Sequence, residues 1–414
     1  MKGKIVQINP VLRTNTSTGR IMQEIGTLAE KNGWKNYCAY SLGRDGMMNC
    51  STETIPIGNR FSTVLHGLAT RLADRHGLAS TYATRKFVEQ LRLIDPDIVH
   101  IHNIHGYFLD YRVLFDYLSH SRAKVIWTVH DCWLFTGHCY YYSYVGCNRW
   151  QEECHDCPQR GGFPRSIFVD RSRCNFIDKR AAITSVPVDR MTFIPVSEWM
   201  KGELGRSFLK NYHMHVIHNG IDTERFKPRL NTAVRAALGI SDDKKIILGL
   251  ASIWSQEKGL DDFIAMSRLL ADDEVIVLVG VDSDTARRLP ASIHSIERTS
   301  DIGQLAELYS EATAFVNPTW QDNYPTVNLE SISCGTPVVT YRTGGSIESI
   351  AEITGSRIVE QGDIQGALAA VRLIASAGRY AFRNVSREFA LSNFSKEDRY
   401  NNYLELYDEL ISRP

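Results

Sequence analysis

Val316–Thr340, VNPTWQDNYPTVNLESISCGTPVVT, reads as strand, loop, helix and strand in one pass. Ala314 to Val316 is a short apolar run with strand character. The polar loop after it carries Asp322, and the helix after the loop carries Glu330, with seven residues between the two acids. Gly335 and Pro337 stop the helix, and Val338-Val339 open the next strand. In an open α/β sheet such a loop lies at the carboxyl ends of the strands, where ligands bind, and a helix N-terminus favours anions. One carboxylate before that helix and one inside it can hold a sugar nucleotide from two directions.

The rest of the chain repeats the βα alternation. Lys4–Ile8 is a first strand, followed by a polar loop from Asn9 through Arg13 to Gly19 and a helix with Ile21, Ile25 and Leu28 on one face. The loop offers backbone N–H groups to an anion or a sugar hydroxyl; a plain long βα connection is the alternative. Asp95-Pro-Asp97 turns into a strand that ends in His100 and His102, and Lys124–Val129 is a strand that ends in His130-Asp131. Strand tips are where open-sheet sites are built, so His130 is the histidine expected to face a substrate, with Asp131, Arg13 and Gly19 lining the same cleft. His215–Asp222 reads as a strand entering an Asn219-Gly220 turn, and the polar run after it marks a domain boundary. Beyond it, Lys258-Gly259 at a helix entrance sets a cation beside free N–H groups, a phosphate-site arrangement. No G-x-G-x-x-G is present, against a dinucleotide-binding dehydrogenase.

Length and composition narrow the class. The 414 residues predict two domains, and 43% hydrophobic with 23% charged residues is ordinary for a globular protein. With 47 basic and 47 acidic residues the formal net charge is zero, so bulk attraction to nucleic acid is not indicated. No run approaches a membrane-spanning length and the start lacks a signal-peptide core, so a cytoplasmic location is expected. Residues 59–92 are nonetheless basic and amphipathic: Phe61, Val64, Leu65, Leu68 and Leu72 recur at helical spacing among Arg60, Arg71, Arg75, Arg85, Lys86 and Arg92. Such a stretch either packs on the core with a solvated basic face or lies on an anionic membrane.

Four of the nine cysteines cluster, Cys139-x7-Cys147-x6-Cys154-x2-Cys157. The closing C-x-x-C is a zinc-knuckle spacing, so a structural zinc is expected in a reducing compartment, with free thiols or labile disulfides as alternatives. Four thiolates leave no open position for catalysis. Cys38, Cys50, Cys132, Cys174 and Cys334 read as ordinary buried or semi-buried residues.

Taken in order, the Gly19 loop, Thr128-Val129-His130-Asp131, Asn219-Gly220-Ile221-Asp222, Lys258-Gly259 and the Asp322/Glu330 stretch resemble the retaining GT-B glycosyltransferases of family 4, particularly bacterial polysaccharide-assembly members. The resemblance spans nearly the whole chain. It implies an α/β fold of two facing Rossmann-like domains: residues 1–219 on the acceptor side, 220–389 binding the donor, and a crossover helix at 390–414 that completes the first domain. It also implies a hexosyltransferase that moves a sugar from a nucleotide-diphosphate sugar to a glycan or lipid-linked acceptor, without a tightly bound catalytic metal. Glu330 matches the ribose-binding acid, Lys258 the lysine on the diphosphate and His130 the cleft histidine. Asp322 stands where the family usually has glutamate, near the donor sugar, with Tyr324, Pro325 and Thr326 beside it. The arginine usual five residues before the lysine is Ile253 here. The D-x-D pairs Asp95/Asp97 and Asp282/Asp284 read as turn acids rather than metal ligands. A sugar-nucleotide epimerase on the same architecture and a non-enzymatic, zinc-stabilised interaction protein are the alternatives.

Overall fold

The computed structural model describes residues 1–13, 16–41, 52–229 and 233–412. The positions of Thr14, Asn15 and Cys50 in the readings above lie outside them. The chain divides into two compact units, Met1–Ile217 with Tyr400–Pro414, and His218–Arg399.

The first unit is built on seven parallel strands: β1 (Lys4–Ile8), β2 (Lys35–Tyr40), β3 (Glu53–Pro56), β4 (Ile98–Ile101), β5 (Lys124–Val129), β6 (Met191–Pro195) and β7 (His213–Met214), in the order β3-β2-β1-β4-β5-β6-β7. Both faces are covered, so successive strand residues are apolar on opposite sides. Val6, Ile8, Val99, Val125 and Trp127 pack into one layer, while Ile5, Ile98, Ile126 and Ile194 pack into the other with Ile21, Tyr403 and Tyr407. The last two come from the C-terminal helix Lys396–Ser412, whose tyrosine stripe is the face it buries.

The second unit has six strands: β8 (Lys245–Leu250), β9 (Glu274–Val279), β10 (Ile293–Ile296), β11 (Ala314–Asn317), β12 (Val338–Tyr341) and β13 (Arg357–Val359), in the order β10-β9-β8-β11-β12-β13. Every pairing in both sheets is parallel. Each sheet reverses direction once, between β1 and β4 and between β8 and β11, and the carboxyl ends at those points are where an open sheet binds ligands. The α/β GT-B expectation of two Rossmann-like domains matches this architecture.

Several local expectations need correction. No strand forms over His215–Asp222; β7 is His213–Met214, and Ile221 makes only an isolated bridge to Ser395. The chain returns to the first unit at Tyr400 rather than 390, because the helix Arg383–Asn393 belongs to the second: Arg387 donates to the carbonyls of Thr223 and Phe226. Gly19 lies inside the helix Ser17–Lys31, not ahead of it. Cys174 is exposed.

Residues 59–92 form two helices, Arg60–Ala73 and Thr81–Ile94, separated at Asp74, which takes the left-handed conformation at φ 48°. The first is inverted relative to an ordinary amphipathic helix. Its buried residues are His66 and Thr70, and its apolar stripe faces outward, Phe61 being 71% and Val64 60% exposed.

Candidate functional site

In the second unit the loops after β8 and β11 meet at the sheet's reversal point. The turn Gln256–Lys258 is pinned by backbone: Trp320 N–H donates to the Glu257 carbonyl at 2.9 Å. Gly259 makes the approach possible. Its φ is +76°, and a Cβ there would stand 2.4 Å from the Pro318 carbonyl oxygen, so any other residue forces the two loops apart. The result is Lys258 Nζ at 2.8 Å from Asp322 Oδ2, with Asp322 Oδ1 accepting from the Asn323 N–H at 2.9 Å.

Glu330 lies in the helix Thr326–Ser333, which starts after Pro325 without a side-chain cap. The Glu330 carboxylate is buried and accepts a hydrogen bond from the Tyr309 hydroxyl at 3.2 Å. Burial and that carboxylate together push the Tyr309 phenol well up, so it stays a donor. Behind the helix, Asn328 donates to Ser349 Oγ and accepts from Asn317, tying the helix to the loop after β12. Tyr324 stacks on His218, ring centroids 4.7 Å apart and 14° from parallel, and His218 Nε2 lies 3.4 Å from Glu348 Oε2. His218 and Tyr309 carry no motif of their own; His218 preceding Asn219-Gly220 was the signal available. Ile253, in place of the usual arginine, is 79% exposed.

In the first unit the tips of β1, β4 and β5 carry a relay of polar side chains through the sheet. His100 bonds the Tyr407 hydroxyl at 2.6 Å and Thr128 Oγ1 at 2.8 Å. His102 Nε2 donates to Gln7 Oε1 at 2.9 Å, and its Nδ1 faces His130 Nε2 at 3.4 Å. Burial holds His100 down at about 3 and His130 at about 4, despite the Asp131 charge beside His130, so all three imidazoles are neutral at pH 7. Asp131 points elsewhere, to His105 Nε2 at 2.7 Å, and its other oxygen accepts from the Trp133 N–H. Burial alone would raise Asp131, but His105 outweighs it and the net shift is downward; His105 is raised in return. His130 and Asp131 are therefore chain neighbours with separate partners. His105, three residues past His102, is the group the sequence reading missed. Arg13 is half-buried, and Gly19 lets the Val11–Arg13 segment lie against its helix, with a Cβ reaching 2.6 Å from the Arg13 carbonyl.

Both D-x-D pairs are turn acids. Asp95 caps the helix Thr81–Ile94 in the left-handed region and Asp97 accepts from the Lys4 N–H, while Asp282 caps Ser283–Ala286. The four clustered cysteines line one small cavity. Among the described residues no group of three or more His, Cys, Asp or Glu side chains is placed so that it could hold a metal ion. No helix among them is long and apolar enough to cross a membrane.

Two parallel open sheets, each with its reversal point furnished with charged side chains, define a GT-B-type α/β protein. Residues 244–376, within the second unit, match the family model described as Glycosyl transferases group 1. Over 372 residues the chain is 22% identical to the putative colanic acid biosynthesis glycosyl transferase WcaC of Escherichia coli K12, covering 87% of this chain and 88% of that protein. Its fold is similar to sucrose-phosphate synthase from Thermosynechococcus elongatus, with a TM-score of 0.71, 17% identity and 99% and 100% of the two chains covered. It is also similar to Anabaena HepE in complex with UDP-glucose, with a TM-score of 0.65, 14% identity and 98% and 100% coverage.

Proposed function

We propose that the protein is a retaining glycosyltransferase that moves a sugar from a nucleoside-diphosphate sugar to a glycan or lipid-linked acceptor in surface-polysaccharide assembly. The observation that carries the reading is the Lys258–Asp322 pair at the reversal point of the second sheet, with Glu330 buried in the helix that follows. Departure of a nucleoside diphosphate builds negative charge on its phosphates. Lys258 is the cation placed to meet that charge, and the uncapped N–H groups at Thr326 add a dipole of the same sign. Glu330 accepts the ribose hydroxyls, its orientation held by Tyr309. Asp322 holds Lys258 until donor arrives and then faces the sugar; one methylene shorter than glutamate, it is anchored by the Asn323 N–H. The structural relative bound to UDP-glucose and the colanic acid relative support the donor class and the pathway class.

On the acceptor side, neutral His130 accepts a hydrogen bond from an acceptor hydroxyl and positions it, oriented by His102 and Gln7 behind it. Retention is assigned to front-face attack, in which the leaving phosphate takes the acceptor proton. The outward apolar stripe of Arg60–Ala73 is the membrane contact: Phe61, Leu65 and Leu68 enter the interface while exposed Arg60, Arg71 and Arg75 meet anionic headgroups. Ile167 and Phe168, on a segment hydrogen-bonded to the Arg71 carbonyl, extend the same surface.

A panel of nucleotide sugars screened for thermal stabilisation, followed by transfer assays on lipid-linked acceptors, tests the reading. Stabilisation by one donor and acceptor-dependent release of its nucleotide are expected. Conversion of the donor sugar without acceptor would establish the epimerase instead, and no binding of any nucleotide would leave only the interaction protein.

A further inference from the structure

The segment Gly137–Gln159 is long, irregular and far richer in polar groups than a core lobe needs. Its four thiols, Cys139, Cys147, Cys154 and Cys157, line a single small cavity of about 20 Å³ together with His138 and Gln159. The Cys139 and Cys157 thiols hydrogen-bond each other, and Cys154 Sγ accepts from the Gly137 N–H at 3.2 Å. That last contact is built in: a Cβ on Gly137 would stand 2.1 Å from the Ser172 carbonyl oxygen and 2.7 Å from the Cys154 Cβ.

Two buried groups beside the cavity have no explanation in an apolar core. His138 is 2% exposed; its Nδ1 lies 2.7 Å from Asp74 Oδ1, and its Nε2 is without a hydrogen-bond partner. Lys179, also 2% exposed, places Nζ on the Trp133 carbonyl at 2.5 Å and over the Trp133 ring, and forms no carboxylate ion pair within the described residues. Burial pushes the Lys179 ammonium down to about 7, so negative charge beside it favours its protonated form, and an unsatisfied buried imidazole nitrogen is costly.

We propose that Cys139, Cys147, Cys154 and Cys157, which line one cavity without converging on a single point, draw together on one zinc-class thiophilic cation, with Lys179 and His138 as the polar groups that flank it. Binding releases four S–H protons to solvent, forms four metal–sulfur bonds and leaves a site of net charge −2, to which buried Lys179, close enough to feel Cys154 and Cys139, is the cationic neighbour. His138 donates its Nδ1–H to Asp74, which fixes the ring in the wall of the same cavity beside the four sulfurs. The cation is structural, because four thiolates leave no position for substrate.

The full chain, purified under reducing conditions without chelator, is assayed by elemental mass spectrometry and by thiol titration. About one zinc per chain is expected, with four thiols protected until the metal is removed. Cobalt(II) added to the zinc-stripped chain should give the intense sulfur-to-cobalt charge-transfer band of a thiolate site. Cys157→Ser should cut occupancy at least tenfold; Cys174→Ser, on an exposed cysteine outside the lobe, should leave it unchanged; His138→Gln should retain zinc but lose it about 10- to 100-fold more readily to chelator. If Cys157→Ser does not fold, the cobalt spectrum of the unaltered chain decides. Zinc below about a tenth of an equivalent with no charge-transfer band, or a Cys139–Cys157 disulfide in the reduced preparation, overturns the proposal.

Discussion

The Lys258 ammonium and the Asp322 carboxylate, 2.8 Å apart, are supplied by the loops that follow two neighbouring strands, β8 and β11. Neither is held by its own loop alone: the Gly259 turn and the Pro318 carbonyl set their separation. Lys258→Ala should lower kcat by about 10²- to 10³-fold, the scale for losing one preorganised group on a developing charge. Removing Asp322 as well should add less than its separate effect, because the two act as a unit. Steady-state kinetics of the two single variants and the double variant check this, and full turnover in Lys258→Ala would refute the assignment.

Glu330→Gln keeps an acceptor for Tyr309 but removes the charge. Donor affinity should fall by about 10- to 100-fold, matching about 1.5–3 kcal/mol for hydrogen bonds to a charged group. The loss should appear in donor KM and in calorimetric binding more than in kcat. Tyr309→Phe should cost about 1 kcal/mol of stability in denaturant titration, with a smaller effect on donor binding.

Two groups of histidines in the first unit give stability opposite pH dependences. His100 and His130 have folded pKa values of about 3 and about 4, below the unfolded value, so the unfolded chain binds more protons between those values and about 6.5. Their effect is a loss of stability as pH falls through that window. For His105, raised by Asp131, the stabilisation is complete below about 6.5 and is lost as pH rises through its folded value; for Asp131, lowered, it is complete above about 4 and lost on further acidification. The pair therefore contributes most between about pH 4 and 6.5. Melting temperature against pH should show His105→Gln costing more at pH 5.5 than at pH 8.5, while His100→Asn makes the acid limb shallower.

Leu65→Glu with Leu68→Glu alters two exposed positions of the Arg60–Ala73 helix. Each buried leucine is worth about 1.5–3 kcal/mol, so flotation with phosphatidylglycerol vesicles should fall more than tenfold while transfer to a soluble acceptor analogue is kept. Binding of the unaltered chain should also weaken with added salt. Equal vesicle binding by both proteins would remove this surface from the reading.

The stretch at Val316–Thr340 was legible because three signals agree there: an apolar strand, a helix stopped by Gly335 and Pro337, and a β-branched restart. The pairing of Lys258 with Asp322 was not, since 64 residues separate them and only the strand order β8-β11 brings them together. The two possibilities for 59–92 share one helical period; periodicity marks a face but not whether it turns inward, and here His66 and Thr70 take the buried side. His105 escaped because its role depends on Asp131 turning away from His130. The strand read over His215–Asp222 gets no further than hydrogen bonds from the His215 and Ile217 N–H groups to the Phe193 and Pro195 carbonyls, because its neighbour β6 ends at Pro195.

The C-terminal helix changes what it means to make this protein. Tyr403 and Tyr407 supply the hydroxyls that reach Thr128 and His100, which are otherwise enclosed in the middle of the first sheet. During synthesis, His218–Arg399 is finished before those tyrosines leave the ribosome. The unit begun first is thus completed last, and until then His100 and Thr128 have each other but lack the tyrosine hydroxyls that complete their hydrogen bonding. A fragment ending at Ile217 inherits that unfinished state permanently. Shortening the chain by its final helix therefore damages the amino-terminal half, not the half next to the cut.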